Sequence, residues 1–174
     1  MHIMIDIETM GTRPTAPIIS LGAVAFDAEC IHKKFYRVVD LEDSVAGGAI
    51  IESSTVMWWL SQGGEARAAL TSDITEPLRE VLYAFSLWAG EVKGISGVWG
   101  NGVAFDNVLV AEAYKRLGMT VPWPFWKDRC YRTVKNMFQE VELVRDGTHH
   151  YALADAETQA RHLIEINKKY GFVL

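Results

Sequence analysis

Two carboxylates stand one residue apart near the start of the chain, in Ile3-Met4-Ile5-Asp6-Ile7-Glu8-Thr9-Met10-Gly11. The short apolar run around them predicts a buried strand. Successive strand side chains point to opposite faces, so Asp6 and Glu8 share one. With Ile5 and Ile7 as flanks the pair is partly desolvated, and two such anions repel unless a cation joins them. Hard carboxylate oxygens suit Mg²⁺ or Mn²⁺. Taken alone, the stretch reads equally well as a strand end carrying two solvated acids.

Two more acids and a histidine stand where chain elements change. Asp106 closes Asn101-Gly102-Val103-Ala104-Phe105-Asp106, between a short strand and a helix. A carboxylate in a first helical turn complements the helix dipole as readily as it holds a metal. Asp155 follows His149-His150-Tyr151-Ala152-Leu153-Ala154 and falls in the first turn of the last helix. A histidine in that lead-in is placed to act beside the carboxylate, although a helix cap and a surface histidine would look the same.

The elements that must position these groups follow from the pattern of apolar residues. Ile18 to Phe26 and Ile31 to Val39 are rich in β-branched and aromatic residues and read as strands, with Asp27-Ala28-Glu29 as the turn between them. Three strands on short loops imply an antiparallel start to the sheet. Helical pieces follow from Leu41: Ser54 to Leu60, then Glu65 to Leu70, then a longer helix with Pro77 in its first turn and a stripe through Leu78, Val81, Leu82, Phe85 and Trp88. Gly97 to Gly100 reads as a buried strand that turns through Asn101-Gly102. A helix from about Val103 carries Phe105, Val108, Leu109, Ala111, Ala113 and Leu117, and Gly118 stops it. Asp128 to Val134 holds a short strand leading into a helix near Thr133 to Val141. Asp146-Gly147-Thr148 reads as a turn, and Leu153 to Tyr170 as the last helix. The expected fold class is α/β, one mixed sheet flanked by helices, forming a single domain over residues 1–174.

Composition narrows the function classes. At 174 residues and 49% hydrophobic, the chain has the material for one ordinary globular core. No apolar run approaches the ~20 residues of a membrane span, and no signal-peptide pattern opens the chain. Cys30 and Cys130 lie far apart without a CxxC motif, which fits a cytoplasmic protein with two free thiols. The net charge of −5 argues against coating long stretches of nucleic acid, yet it leaves room for gripping a few phosphates through metals held by acids.

Taken in order, Asp6-Ile7-Glu8, then Asn101 with Phe105-Asp106, then His150 separated by four residues from Asp155, make a specific constellation. It resembles that of the DnaQ-like 3′–5′ exonucleases of the DEDD superfamily, in their histidine branch, over roughly residues 2–167. Ser54-Thr55, Trp58-Trp59, Glu65-Ala66-Arg67 and Val98 to Gly102 look like the small phage and prophage exonucleases, of the phage exonuclease A and prophage exodeoxyribonuclease VIII kinds. Exoribonucleases stand among their relatives, so the likeness leaves DNA and RNA both open. It implies an RNase H-like fold and two divalent ions, Mg²⁺ or Mn²⁺, on Asp6, Glu8, Asp106 and Asp155, with Asp6 bridging. It also implies His150 as the general base and stepwise release of nucleoside 5′-monophosphates from a 3′ end. By the same likeness Thr9, Met10 and Gly11 meet the terminal nucleotide, with Asn101, Phe105 and Trp58 as further substrate contacts. Several short members of the superfamily dimerise, which leaves a homodimer open.

Some assignments compete. Tyr151 to Asp155 also fits the Tyr-x-x-x-Asp signature of the tyrosine branch; imidazole is the better base near pH 7, and His149 is one residue out of register. Trp59 and Trp99 are expected in the core, and Arg67, Arg129 and Arg132 are solvated charges before they are phosphate contacts. His2, His32 and His162 carry no motif and read as surface or packing residues. A nuclease-like binding module without catalysis is the rival from another class, and the five competent residues speak against it. An RNase H or integrase would lack the histidine and aspartate of the last helix.

Overall fold

The computed structural model describes residues 1–174 apart from Ala69, Ser72, Asp73, Asp146, Thr148, Phe172 and Val173. Strands β1 (His2–Thr9), β2 (Ile18–Phe26) and β3 (Ile31–Val38) are followed by helices α1 (Leu41–Ala46), α2 (Ser53–Ser61), α3 (Gly64–Ala68) and α4 (Leu78–Gly90). Then come β4 (Gly97–Gly100), α5 (Asp106–Arg116), a 3₁₀ turn (Phe125–Lys127), β5 (Asp128–Cys130), α6 (Tyr131–Met137) and α7 (Ala152–Tyr170). The strands form one sheet in the order β3-β2-β1-β4-β5, antiparallel across the first three and parallel from β1 to β5. This is the mixed sheet expected of the sequence. Among the described residues no helix is long and apolar enough to cross a membrane.

Every residue of β1 is buried, as in a central strand covered on both faces. Ile3, Ile5 and Ile7 pack with Leu78, Val81, Leu82 and Phe85 of α4 and Leu109, Val110, Ala113 and Tyr114 of α5. Met4 packs on the other face with Val24, Phe26, Trp99 and Tyr131, and with Ala156, Ala160, Leu163 and Ile164 of α7. Asp6 and Glu8 keep the phase of Met4, so they face α7.

Two glycines let helices approach the sheet at the site. Gly22 pairs with Asp6 across β1 and β2, and a Cβ there would lie 2.4 Å from the backbone carbon of Ala152 and the nitrogen of Leu153. The first turn of α7 therefore rests directly on β2, one strand from Asp6. Gly100 ends β4, and its Cβ would meet Asn107 Oδ1 at 2.4 Å and Asp106 Cβ at 2.9 Å. The first turn of α5 fills that space.

The last point corrects one element. Helix α5 starts at Asp106, three residues later than the apolar pattern around Val103 predicts. Phe105 N–H donates to Gly102 O at 2.7 Å, closing a separate turn before the helix. Asn107 Nδ2 donates to Val98 O and Asp128 Oδ1, which pins the helix to β4 and β5 and turns Val110 and Tyr114 inward, while Val108 is exposed. Pro77 stands just before α4 as its N-cap rather than inside the first turn. The 128–141 region matches in kind, with its helix opening at Tyr131. Of the turn expected at Asp146-Gly147-Thr148, the two outer residues lie outside the described residues, as does Ala69 in the expected Glu65 to Leu70 helix.

Candidate active site

Three elements converge at the C-terminal end of β1. Asp6 and Glu8 come from the strand and Asp155 from the first turn of α7, and one carboxylate oxygen of each lies within 4.8 Å of the others. Asp106, at the start of α5, lines the same cavity of about 180 Å³. All four are buried. Like-charged carboxylates taken out of water hold their protons longer. Burial first, then Asp106, Glu8 and Asp155, raise Asp6 well above the usual range; the hydrogen bond from Gln159 opposes this. Burial, then Asp155 and Asp106, push Glu8 up to about 8. Burial also pushes Asp106 up to about 7, although its carboxylate accepts backbone N–H bonds from its own residue, Ile7 and Asn101. Four buried oxygen-donor side chains around one cavity are a donor set that fits hard divalent cations.

Two further side chains, Gln159 and Arg145, bond to these acids without belonging to any motif of the sequence. Gln159 Nε2 donates to Asp6 Oδ1 at 2.7 Å inside the protein. Its position four residues after Asp155 puts it on the same helix face, which is the one sequence clue to it. Arg145 Nη1 lies 2.9 Å from Asp155 Oδ1. It sits in the connection between α6 and α7, where no periodicity announces a side chain's direction.

His150 and Tyr151 separate clearly. His150 N–H donates to Asp155 Oδ2 at 2.9 Å, its backbone has φ 63°, and its ring lines the cavity with that of His149, 3.8 Å away. The left-handed backbone is uncommon for a residue with a side chain and is stored strain of about 1 kcal/mol or more. The ring stands edge-on to Trp58 at 4.9 Å and to Trp59 at 5.8 Å. Burial, then His149, lower the His150 pKa, which favours the neutral imidazole. Tyr151 instead packs on Tyr36 with ring centroids 4.6 Å apart and lines neither this cavity nor its neighbour.

That neighbour is an apolar cavity of about 420 Å³ beside the acids, lined by Thr9, Gly11, Trp58, Trp59 and Phe105 among others. Ile7, Glu8 and Phe105 line both cavities, so the two make one cleft. Thr9 Oγ1 donates to Gly11 O at 2.7 Å, and Trp59 Nε1 donates to Thr9 O at 3.0 Å, which sets the strand end against α2. Glu52 holds the following loop by accepting from Thr12 N at 3.2 Å and Arg13 N at 3.1 Å. Met10 lines neither cavity; its backbone is tied to Pro17 O and Glu52 N. Asn101 lines the acidic cavity, and its carbonyl accepts from Arg132 Nη2 at 2.7 Å. Trp58 is 43% exposed, whereas Trp59 and Trp99 are core residues as expected. Arg132, Lys135 and Arg145 form the basic wall of the acidic cavity, while Arg67 and Arg129 bond to backbone carbonyls elsewhere. His2 and His162 are packing residues, bonded to Trp99 Nε1 and Tyr131 OH.

Comparisons with known proteins agree with this geometry. The family model for the 3′–5′ exoribonuclease Rv2179c-like domain matches residues 1–167. The exodeoxyribonuclease of Enterobacteria phage T4 is 26% identical over 175 residues, spanning 83% of this chain and 74% of that protein. Among solved structures, the nuclease domain of 3′hExo, a DEDDh family member bound to rAMP, superposes with a TM-score of 0.66 at 15% identity, covering 97% of this chain and 92% of that one. Exonuclease X in complex with 5′ overhanging duplex DNA gives 0.57 at 18% identity, over 99% and 95% of the two chains.

Proposed function

The chain belongs to the Rv2179c-like 3′–5′ exoribonuclease domain family, and from that premise we propose a two-metal hydrolysis of 3′-terminal phosphodiesters in which His150 is the general base. The observation that carries the proposal is the convergence of Asp6, Glu8 and Asp155 oxygens within 4.8 Å, with Asp106 on the same cavity. Asp6, Glu8, Asp106 and Asp155 would hold the divalent pair, Mg²⁺ or Mn²⁺. When bound, such ions acidify the attacking water and relieve charge on the leaving 3′ oxygen.

The chain's own groups do the rest. Gln159 fixes one oxygen of Asp6 in place. The neutral imidazole of His150 receives the water's proton at the mouth of the cavity, and its ring is held by Trp58 and Trp59. The placement of Tyr151 against Tyr36 speaks for His150 over the tyrosine alternative. The apolar cavity receives the terminal nucleotide, with Phe105 and Trp58 offering ring faces to a base and Thr9, Gly11 and Asn101 offering polar groups. Arg132, Lys135 and Arg145 give the phosphate a basic wall within an acidic protein. The product is a nucleoside 5′-monophosphate. The family model speaks for RNA and the phage relative for DNA, and both polymers belong in the test.

The test is a 5′-labelled single strand of RNA and one of DNA, of the same sequence, incubated with Mg²⁺, Mn²⁺ or EDTA. A ladder shortening from the 3′ end with either ion, and none with EDTA, is expected. Full-length strands under every ion would favour the binding-module reading.

A further inference from the structure

The hairpin tip between β2 and β3 brings together three metal-ligating side chains of three kinds. His32 Nε2 lies 2.7 Å from Asp27 Oδ2 and 3.7 Å from Cys30 Sγ. One donor atom from each of the three residues falls within 4.8 Å of the others. Asp27 stands five residues beyond Gly22, the partner of Asp6, so the tip lies about 16 Å along β2 from the catalytic acids, at the rise of a strand.

The turn is built to hold these groups. Asp27 Oδ1 accepts the backbone N–H groups of Glu29 at 2.9 Å and Cys30 at 3.0 Å, and Asp27 N–H closes the turn on Cys30 O at 3.1 Å. Those backbone bonds, with His32, keep the carboxylate ionised down to about pH 2. The second oxygen is left to face His32. An ion pair between Asp27 and His32 accounts for two of the residues. It leaves the exposed Cys30 thiol beside the imidazole without a role.

We propose that Asp27, Cys30 and His32 form a second metal site, for Zn²⁺ or a cation of its class, with water in the fourth position. A thiolate, an imidazole and a carboxylate are the ligand types of zinc, and sulfur disfavours Mg²⁺. Tetrahedral zinc with ordinary bond lengths sets sulfur and nitrogen about 3.5 Å apart and nitrogen and oxygen about 3.3 Å apart. The first separation is already close to that, and the second requires the hydrogen-bonded pair to open by about half an ångström. Binding forms the S–metal bond as the thiol proton leaves to solvent, and the N–metal bond as the Nε2 proton that faces Asp27 is lost to solvent, leaving the imidazole neutral with its proton on Nδ1. All three ligands lie within six residues of an ordered turn, so little further chain ordering opposes the step. The site would staple β3, the edge strand of the sheet, to its neighbour.

The test is a Co²⁺ titration of the full chain in excess Mg²⁺, read by the thiolate-to-cobalt charge-transfer absorption. The catalytic cavity has no cysteine among its lining residues, so the band reports the hairpin alone. One equivalent is expected to develop the band in the wild type and in Cys130→Ser, and none in Cys30→Ser or His32→Ala. Zn²⁺ added afterwards should bleach it. Retained 3′–5′ ladders show that the variants are folded. No band in the wild type, a band surviving Cys30→Ser or His32→Ala, or one lost in Cys130→Ser would overturn the site.

Discussion

The guanidinium of Arg145 stands 2.9 Å from Oδ1 of Asp155, so one fixed cation faces the carboxylates that would hold a metal. A metal held by Asp155 through that oxygen would compete with the guanidinium. Arg145→Met should therefore tighten Mn²⁺ binding severalfold by calorimetry. In EDTA it should lower the melting temperature by a few degrees, since a half-exposed ion pair contributes at most about 1 kcal/mol. Equal Mn²⁺ affinity in the two proteins would show that the pair does not compete with metal.

Stability in EDTA should fall as pH rises from about 6.5 to 8. Glu8 and Asp106 titrate near 8 and 7 in the folded chain, above the ordinary carboxylate range. Between the unfolded and folded values the native state binds more protons than the unfolded one, so the slope of stability against pH is negative. The low pKa of Asp27 and the lowered pKa values of His2, His150 and His162, which make stability rise with pH, act below this window. Saturating Mn²⁺ adds stability that grows with its concentration over Kd, about 2.7 kcal/mol at one hundred times Kd, and should flatten the profile. Melting curves across the range with and without the ion check this.

Gln159→Leu keeps the bulk of the side chain and removes the bond to Asp6 Oδ1. A buried acceptor losing its partner costs about 1–3 kcal/mol. If that loss is felt in the transition state, kcat should fall about tenfold or more with KM little changed, in steady-state assays on a short oligonucleotide. A change in KM alone would remove Gln159 from the account.

The pattern of carboxylates was legible because it follows strand and helix periods: Asp6 and Glu8 share a face of β1, and Asp155 opens α7. Its partners were not. Gln159 reaches Asp6 across 153 residues of sequence, and Arg145 arrives from an irregular connection. The start of α5 departs from the apolar spacing for a related reason. The turn closed by Phe105 N–H on Gly102 O and the tether from Asn107 to Val98 decide where that helix begins, against the apolar spacing. Gly22 reads in sequence as a small residue within a strand. Only the folded chain shows it as the seat of α7.

Gly22→Ala tests that seat. A methyl group placed 2.4 Å from the α7 backbone must push the helix away. Overpacking of this kind costs about 1–3 kcal/mol. Because the displaced turn carries Asp155, exonuclease activity should fall further than the fraction folded. Urea unfolding beside an activity assay separates the two effects.

The most direct measurement is single-turnover shortening of a 5′-labelled strand by the wild type, Asp6→Asn, His150→Ala and Tyr151→Phe at saturating Mn²⁺. A general base is worth about 10²–10⁴ in rate, so His150→Ala should lose at least a hundredfold, Asp6→Asn should be inactive, and Tyr151→Phe should keep near wild-type rates. Full activity in His150→Ala with loss in Tyr151→Phe would contradict the assignment of the base, and full activity in Asp6→Asn would contradict the site itself.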